Sequence, residues 1–491
     1  MLMGSARRAL LWAGGATILS DIAQFAAMLV MVRLVSPAEY GQAALALGLY
    51  GLIAVFSFAT FVQHVLQFRD PERVDWSVQL SGALIINVLL FVLSCGVAWV
   101  LYSTEKFAAA AVPLLLLSTT FILEIPGTLH LKYLQAHHEW GRFRSLHLGG
   151  TFLGLAVGVV VAAFGGGVWA VIISTPLLIV PASVDYLIHR RHGLTSIREW
   201  RRYRETFRFG MNRLGAALML RGRVAFERGA VSSLYNFDAL GVFNRSNGLA
   251  NLIAGRFGQL AMQAMYPIVT RAEVGSSRFR RAADLVFRGA CWITIPAGVF
   301  LALAADPVVR VIYGQGWLLV VEILPAAAAV AVATSISQVL ALLLLANNNT
   351  RLSLLVDVVH GATAIALIVL VLPNGIVPFL WGLAATGAAA SAVSYGLLWW
   401  RSGIQARSIM VSVPPPLVSA MVAGWAAHWM LLFMDMTNSS AIAKMTLFAL
   451  CFALVVPAMH RILFPNALSD LLEVMPAAQQ LRRILLYRTD A

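Results

Sequence analysis

Apolar runs of membrane-crossing length follow one another through nearly the whole chain, and no long polar insertion separates them. A helix needs roughly 20 apolar residues to cross a bilayer core. Reading for runs broken by Pro, Gly, Asn and charge places about fourteen helices near 9–32, 42–66, 79–102, 108–133, 146–164, 167–189, 208–233, 240–268, 283–304, 318–346, 352–373, 376–400, 413–434 and 440–463. Connections are as short as Gly165-Gly166-Gly167 and Pro373-Asn374-Gly375. Only 12% of the residues are charged and the mean hydropathy is +0.80, where a soluble domain carries about 25% charge. The apolarity therefore belongs to the whole chain rather than to one anchor on a soluble enzyme. The expected fold is an all-α polytopic membrane protein.

Lys+Arg 36 against Asp+Glu 22 gives a net charge of +14. In a membrane protein such an excess is first a topology signal, not a nucleic-acid footprint. With the N-terminus placed in the cytoplasm, alternate loops collect Arg7, Arg8, Arg69, Arg73, Lys132, Arg142 and Arg144 on the inside. The strongly basic link around 190–208, the run Arg271 to Arg281, and Arg351, Arg401, Arg407, Arg461, Arg482, Arg483 and Arg488 continue the same side. Arg33, Lys106, Arg310 and Lys444 fall outside. A single miscounted helix would scramble this alternation. The asymmetry places both termini in the cytoplasm of an inner (plasma) membrane protein.

Cys95, Cys291 and Cys451 each lie inside an apolar run and read as small core residues rather than a disulfide framework. Arg7-Arg8 and the apolar stretch after them resemble a signal peptide, but the stretch continues through Leu29 and Val32, so it reads as an uncleaved span. A weak internal echo follows. Ser36-Pro37-Ala38-Glu39-Tyr40-Gly41 comes after the first helix and Tyr235-Asn236-Phe237-Asp238-Ala239-Leu240-Gly241 after the seventh. Six helices apart, two such units share one orientation, a parallel repeat of the kind transporters use. The division expected is an N-terminal lobe, 1–205 (helices 1–6), and a C-terminal lobe, 206–400 (helices 7–12). Accessory helices follow at 401–463, with a basic interfacial tail at 464–491.

Several chemistries are excluded. None of the three lysines, Lys106, Lys132 and Lys444, follows a glycine, so no Walker-type phosphate loop exists. His137-His138-Glu139 holds the only adjacent histidines, and neighbours on a helix diverge by about 100°, so no metal site is expected. There is no Gly-x-Ser-x-Gly elbow and no acidic pair in a sizeable outer loop. The chain does not read as an enzyme, and no cofactor is implied.

Arginine inside the bilayer is the distinctive feature. Helix seven carries Arg213, Arg221, Arg223, Glu227 and Arg228; helix eight carries Arg245 and Arg256; helix nine opens with Arg288. An ionised side chain at mid-membrane costs about 2.5–3.5 kcal/mol on the insertion scale, so it faces a partner or water. Arg221 and Arg228 share one face, as do Arg245 and Arg256, and antiparallel helices would set them in two tiers along a cavity. Glu227 follows Arg223 at i+4 and neutralises it. Arg213 and Arg288 lie near enough to the inner surface to snorkel. Asp21, Glu124, Glu322 and Asp357 are the counter-ions available on other helices, and Asp21, Glu124 and Asp357 are also candidate coupling groups. Arginine outnumbers these acids, which points to an anionic ligand, and guanidinium forks suit phosphate or pyrophosphate oxygens.

The run Ala264-Met265-Tyr266-Pro267-Ile268-Val269-Thr270-Arg271 is followed by Asp306-Pro307-Val308-Val309-Arg310-Val311-Ile312-Tyr313-Gly314-Gln315-Gly316-Trp317. Together with Leu34-Val35-Ser36-Pro37-Ala38-Glu39-Tyr40-Gly41 and Leu240-Gly241-Val242-Phe243, this order resembles the polysaccharide (O-antigen type) flippase branch of the multidrug/oligosaccharidyl-lipid/polysaccharide exporter superfamily. The resemblance implies a flippase that moves an undecaprenyl-pyrophosphate-linked oligosaccharide across the inner membrane for O-antigen, capsule or exopolysaccharide assembly. It also implies two alternating lobes, a lipid-tail groove at the last two helices, and polymerase and assembly proteins as partners. Arg221-Gly222-Arg223 through Arg228 is more charged than the usual family text, where an Asp is often found. Two other readings stand beside it. A membrane polysaccharide polymerase or ligase would want a reactive outer loop, and a multidrug exporter of the same superfamily would want a net acidic cavity; a lipid II exporter is a further member.

Overall fold

The computed structural model of the chain describes residues 19–68, 70–189, 192–195, 204–255, 276–404, 407–436 and 440–464. Every regular element among the described residues is helical. The long helices are α1 (19–34), α2 (Pro37–Ile53), α3 (Trp76–Ser103), α4 (Ala108–Ala136), α5 (Trp140–Ala163), α6 (Ser174–His189) and α7 (Arg204–Leu234). They continue as α8 (Phe237–Ala250), α9 (Ser277–Leu303), α10 (Leu319–Ala346), α11 (Thr350–Leu370), α12 (Ile376–Ser402), α13 (Pro414–Met436) and α14 (Ala441–Leu463). Ten helical segments among the described residues are long and apolar enough to cross a membrane, and the protein is a multi-pass membrane protein.

Small and polar side chains are buried beside the large apolar core residues, and many large apolar side chains are exposed. On α3 the buried face carries Gln79, Ser81, Gly82, Ala83, Asn87, Ser94 and Ala98, while Leu89, Val92 and Trp99 are exposed, Trp99 by 73%. In lipid, large apolar groups need no burial, and small or polar residues hold helices together by close approach and hydrogen bonds.

Contacts divide the described residues into two compact units on either side of the Gly241–Val242 bond. In the first, α4 packs between α3 and α6, α5 lies along α6, and α2 packs on α4 and α7. α7 packs on α2 and on residues 54–67 after it. Gln79 on α3 also donates to the Thr206 hydroxyl at the start of α7, 3.2 Å away.

The run expected as one helix over 42–66 is broken. α2 ends at Ile53, and a tight turn, the short helix Phe58–Phe61 and a 3₁₀ stretch Val62–Gln67 follow. Asn87, only 1% exposed, makes the break affordable: its side-chain oxygen accepts the Phe58 amide at 3.0 Å and its nitrogen donates to the Phe121 carbonyl at 3.0 Å. An amide released inside a membrane must find such a partner. The expected helix over 167–189 is likewise two pieces, Val168–Ile172 and α6, with Pro176 near the start of the second, where no intrahelical amide is required.

The two echoed turns are built alike and meet. Ser36 and Glu39 form a capping box at the start of α2, with the Ser36 amide 2.9 Å from Glu39 Oε2. At α8 the Asn236 side chain accepts the Ala239 amide at 2.7 Å. A methyl on Gly41 would run into the Phe237 carbonyl oxygen, and one on Gly241 into that of Pro37. The contact is reciprocal, and both glycines are required by it.

In the second unit α10 packs between α9 and α12, α11 lies on α12, and α13 packs on α9 and α14. Phe279, Phe287, Cys291, Tyr395 and Leu398 form its core, and Cys291 is fully buried there.

Gly150, Gly154 and Gly158 form the buried stripe of α5. A methyl on Gly150 would collide with the Leu178 carbonyl oxygen, and on Gly154 would lie 2.9 Å from that of Ser174. Gly149, one residue away, has open space beside it. Gly150→Ala is expected to lower stability in detergent by about 1–3 kcal/mol through overpacking, whereas Gly149→Ala leaves it unchanged or raises it by up to about 1 kcal/mol. Paired thermal melts of the two variants check this.

Candidate functional site

α7 is 31 residues long and brings Arg213, Arg221, Arg223, Glu227 and Arg228 onto one helix. The seven-residue spacing of Arg221 and Arg228 turns both toward α2. Arg228 Nη1 donates to the Ala44 carbonyl at 2.8 Å, a bond possible because a helical carbonyl keeps a spare lone pair. Gly48 makes the room, since a methyl there would lie 3.0 Å from Arg228 Cδ. Two turns away Arg221 approaches Gly51, where the same construction lies 3.9 Å from Nη1. Arg221 is exposed, and no carboxylate of the described residues lies within ion-pair distance of it. Arg223 pairs with Glu227 at 3.6 Å, the i+4 partner, and Glu227 is buried. The side chain of Arg213 lies outside the described residues.

The second unit holds Arg245 on α8. It is half-buried, and its backbone carbonyl accepts the buried Tyr313 hydroxyl at 3.1 Å. Tyr313 and Trp317 lie ring to ring at 5.7 Å across the turn at Gly314, whose φ is +86°. The Tyr-Gly-x-Gly-Trp phrase is thus a clamp on the helix that carries Arg245. Past Ala250 the helix widens into one π turn, Asn251–Gly255. Such bulges are common at functional sites. Arg256, the next residue, lies outside the described residues.

Arg288 departs from the expectation of a snorkelling side chain. It is 7% exposed and pairs with Asp284 one turn earlier at 3.0 Å. The other Asp284 oxygen accepts the Ser408 hydroxyl, so helix packing draws the guanidinium inward to a carboxylate already in place.

Among the acids, Asp21 is half-buried on α1, and Glu124, half-buried on α4, lies against the Tyr50 hydroxyl. Glu322 and Asp357 are exposed, the latter with His360 one turn on. No described arginine lies within ion-pair distance of Glu124, Glu322 or Asp357.

One network has no precursor in the sequence reading. Asp185 on α6 accepts His130 Nε2 from α4 and Arg142 Nη2 from α5, the latter at 2.8 Å. His189 closes on the same guanidinium at 2.7 Å. His130 is 1% exposed, so three helices are tied through one carboxylate. These partners are 43 and 55 positions from Asp185 in sequence, and only Asp185 being the sole acid of its helix hints at a role. His137 stacks on Tyr133 at 4.0 Å and lies 3.5 Å from Glu72.

Comparison with known proteins bears on what such an array serves. The family described as "Polysaccharide biosynthesis protein" matches residues 30–322. No curated protein matches this chain. Among solved structures, the chain is similar to "Lipid II flippase MurJ, inward closed conformation", with a TM-score of 0.73 and 14% identity over 92% of this chain and 99% of that one. It is also similar to a multidrug resistance MATE family transporter of the MOP superfamily in an inward-facing conformation, with a TM-score of 0.56 and 15% identity over 78% and 94%. The fold is that of MurJ and MATE transporters.

The two α7 arginines differ in what they hold, and substitution separates them. Arg228→Ala removes a charged hydrogen bond to Ala44 and is expected to cost about 1.5–3 kcal/mol. Arg221→Ala is expected to change stability by less than about 0.5 kcal/mol. Unfolding of both variants in one detergent measures the contrast.

Proposed function

We propose that this chain, which belongs to the polysaccharide biosynthesis protein family, is a flippase for an undecaprenyl-pyrophosphate-linked oligosaccharide. It carries the repeat unit from the cytoplasmic to the outer leaflet of the inner membrane, with both termini cytoplasmic. The observation that carries the reading is the coincidence of that family with the fold of a lipid II flippase over nearly the whole chain. Family and fold are those of a transporter rather than an enzyme.

The chemistry of the spans agrees with this cargo. A pyrophosphate headgroup crossing hydrocarbon needs fixed cations, because its own charge is costly away from water. On the first unit Arg221 and Arg228 are the groups to engage it, with Arg213 on the same helix; on the second they are Arg245 and Arg256. Arg221 is the sharpest candidate, being exposed and held by no described carboxylate. At about 4 Å two opposite charges attract by roughly 4 kcal/mol at an effective dielectric of about 20, enough to favour entry without trapping. With no Walker loop in the sequence, the drive is consumption of product outside, by polymerase and assembly proteins, or an ion gradient. Asp21, Glu124 and Asp357 are the candidate carriers for a coupling ion.

Reconstituted into liposomes with a pyrophosphate-linked oligosaccharide lipid, the wild type is expected to equilibrate the lipid between leaflets. Arg221→Ala and Arg256→Ala are expected to slow it about tenfold or more, the worth of one charge-assisted contact. Wild-type rates in both variants would remove the arginines from the mechanism. A deletion strain that fails to accumulate the lipid-linked unit on the inner face would remove the flippase reading itself.

A further inference from the structure

A cavity of about 810 Å3 lies in the second unit, apart from α7 and α8, where three helix ends meet. Its walls are the first turns of α9, Gly403 and Ile404 after α12, Arg407, Ser408, Met410 and Val411, Pro415 at the start of α13, and Phe464 at the end of α14. Arg280, Arg281 and Arg288 line it from α9 and Arg407 from residues 407–411. Among the described residues the lining holds one carboxylate, Asp284, against these four arginines. That carboxylate is bonded to Arg288 at 3.0 Å and to the Ser408 hydroxyl, so its charge is spent inside the wall.

Two details show that the basic wall is built into the backbone. Gly403 has φ +67°, and a methyl there would lie 3.2 Å from Arg280 Nη1, so the chain reverses beneath that guanidinium at a position suited to glycine. Ser276 caps α9 by accepting the Phe279 amide at 3.1 Å, which aims the positive end of the helix dipole at the same region. The lining also carries apolar side chains, Ile404, Met410, Val411, Pro415 and Phe464. The volume exceeds what a lone phosphate fills and falls within the usual range of small-molecule sites, about 300–1,000 Å3.

A cavity that combines four arginines with five apolar side chains at the ends of membrane-crossing helices matches a lipid, with its phosphate among guanidiniums and its chains against the apolar side chains. We propose that this cavity seats the phosphate headgroup of an anionic membrane lipid, held by Arg280 and Arg407 with Arg281 beside them. The site is independent of the cargo that the protein carries. The lipid binds among the arginines and bridges α9, residues 407–411 and α14.

The test uses the full chain in detergent and native mass spectrometry with phosphatidylglycerol or phosphatidylcholine as probe. The wild type is expected to retain phosphatidylglycerol and not phosphatidylcholine. Arg280→Ala and Arg407→Ala, both exposed positions, are expected to weaken retention about tenfold. Arg401→Ala is the charge-matched control, since Arg401 stacks on Trp400 at 4.5 Å and does not line the cavity; it is expected to retain lipid as the wild type does. Equal retention of the two lipids, or an equal loss in Arg401→Ala, would overturn the proposal. Displacement of phosphatidylglycerol by equimolar inorganic phosphate would also overturn it, by making the site one for the free anion. Melting temperatures without lipid identify any variant that loses binding by unfolding.

Discussion

In hydrocarbon an unsatisfied amide or an unpaired charge costs several kcal/mol, and that cost organises this molecule more than apolar burial does. Several departures from regular helix are matched to a polar partner. The break after α2 is met by Asn87, the start of α2 by Ser36 and Glu39, and the start of α8 by Asn236. Several charged groups inside the helices are also paired. Arg223 has Glu227, Arg288 has Asp284, and Asp185 gathers His130 and Arg142 from two other helices.

With polar groups spent on one another, close packing does the remaining work of holding helices together. Gly150 and Gly154 bring α5 against α6 at backbone distance, Gly158 brings it against the short helix Val168–Ile172, and Gly41 and Gly241 do the same for the two echoed turns. Large side chains such as Trp99 are turned outward, where they cost nothing in lipid. Arg228 joins both themes, because Gly48 opens the space through which it reaches the Ala44 carbonyl. Arg221 stands apart from this pattern, being exposed with no carboxylate of the described residues beside it.

Much of the architecture was legible because hydropathy and loop charge are local signals. The all-α membrane fold, the i+4 pairing of Arg223 with Glu227 and the shared face of Arg221 and Arg228 follow from composition and helical spacing alone. The break inside 42–66 was not legible: nothing nearby marks it, and the partner that stabilises it lies 29 residues on, at Asn87. Arg288 illustrates the same limit. Its nearness to the inner surface suggested an exposed guanidinium, but the packing of α9 against the link after α12 encloses it with Asp284 and Ser408.

Sequence by itself determined which segments enter the membrane and how much positive charge goes with them, because partition into lipid depends on residue type summed along a run. Only the tertiary structure decided which of those charges are paired and which are left exposed. That choice depends on distances between helices remote in the chain, such as α4, α5 and α6 meeting at Asp185, or α9 and residues 407–411 enclosing a basic cavity. Helical periodicity says which side of its own helix an arginine occupies; the neighbour it meets there is set by packing.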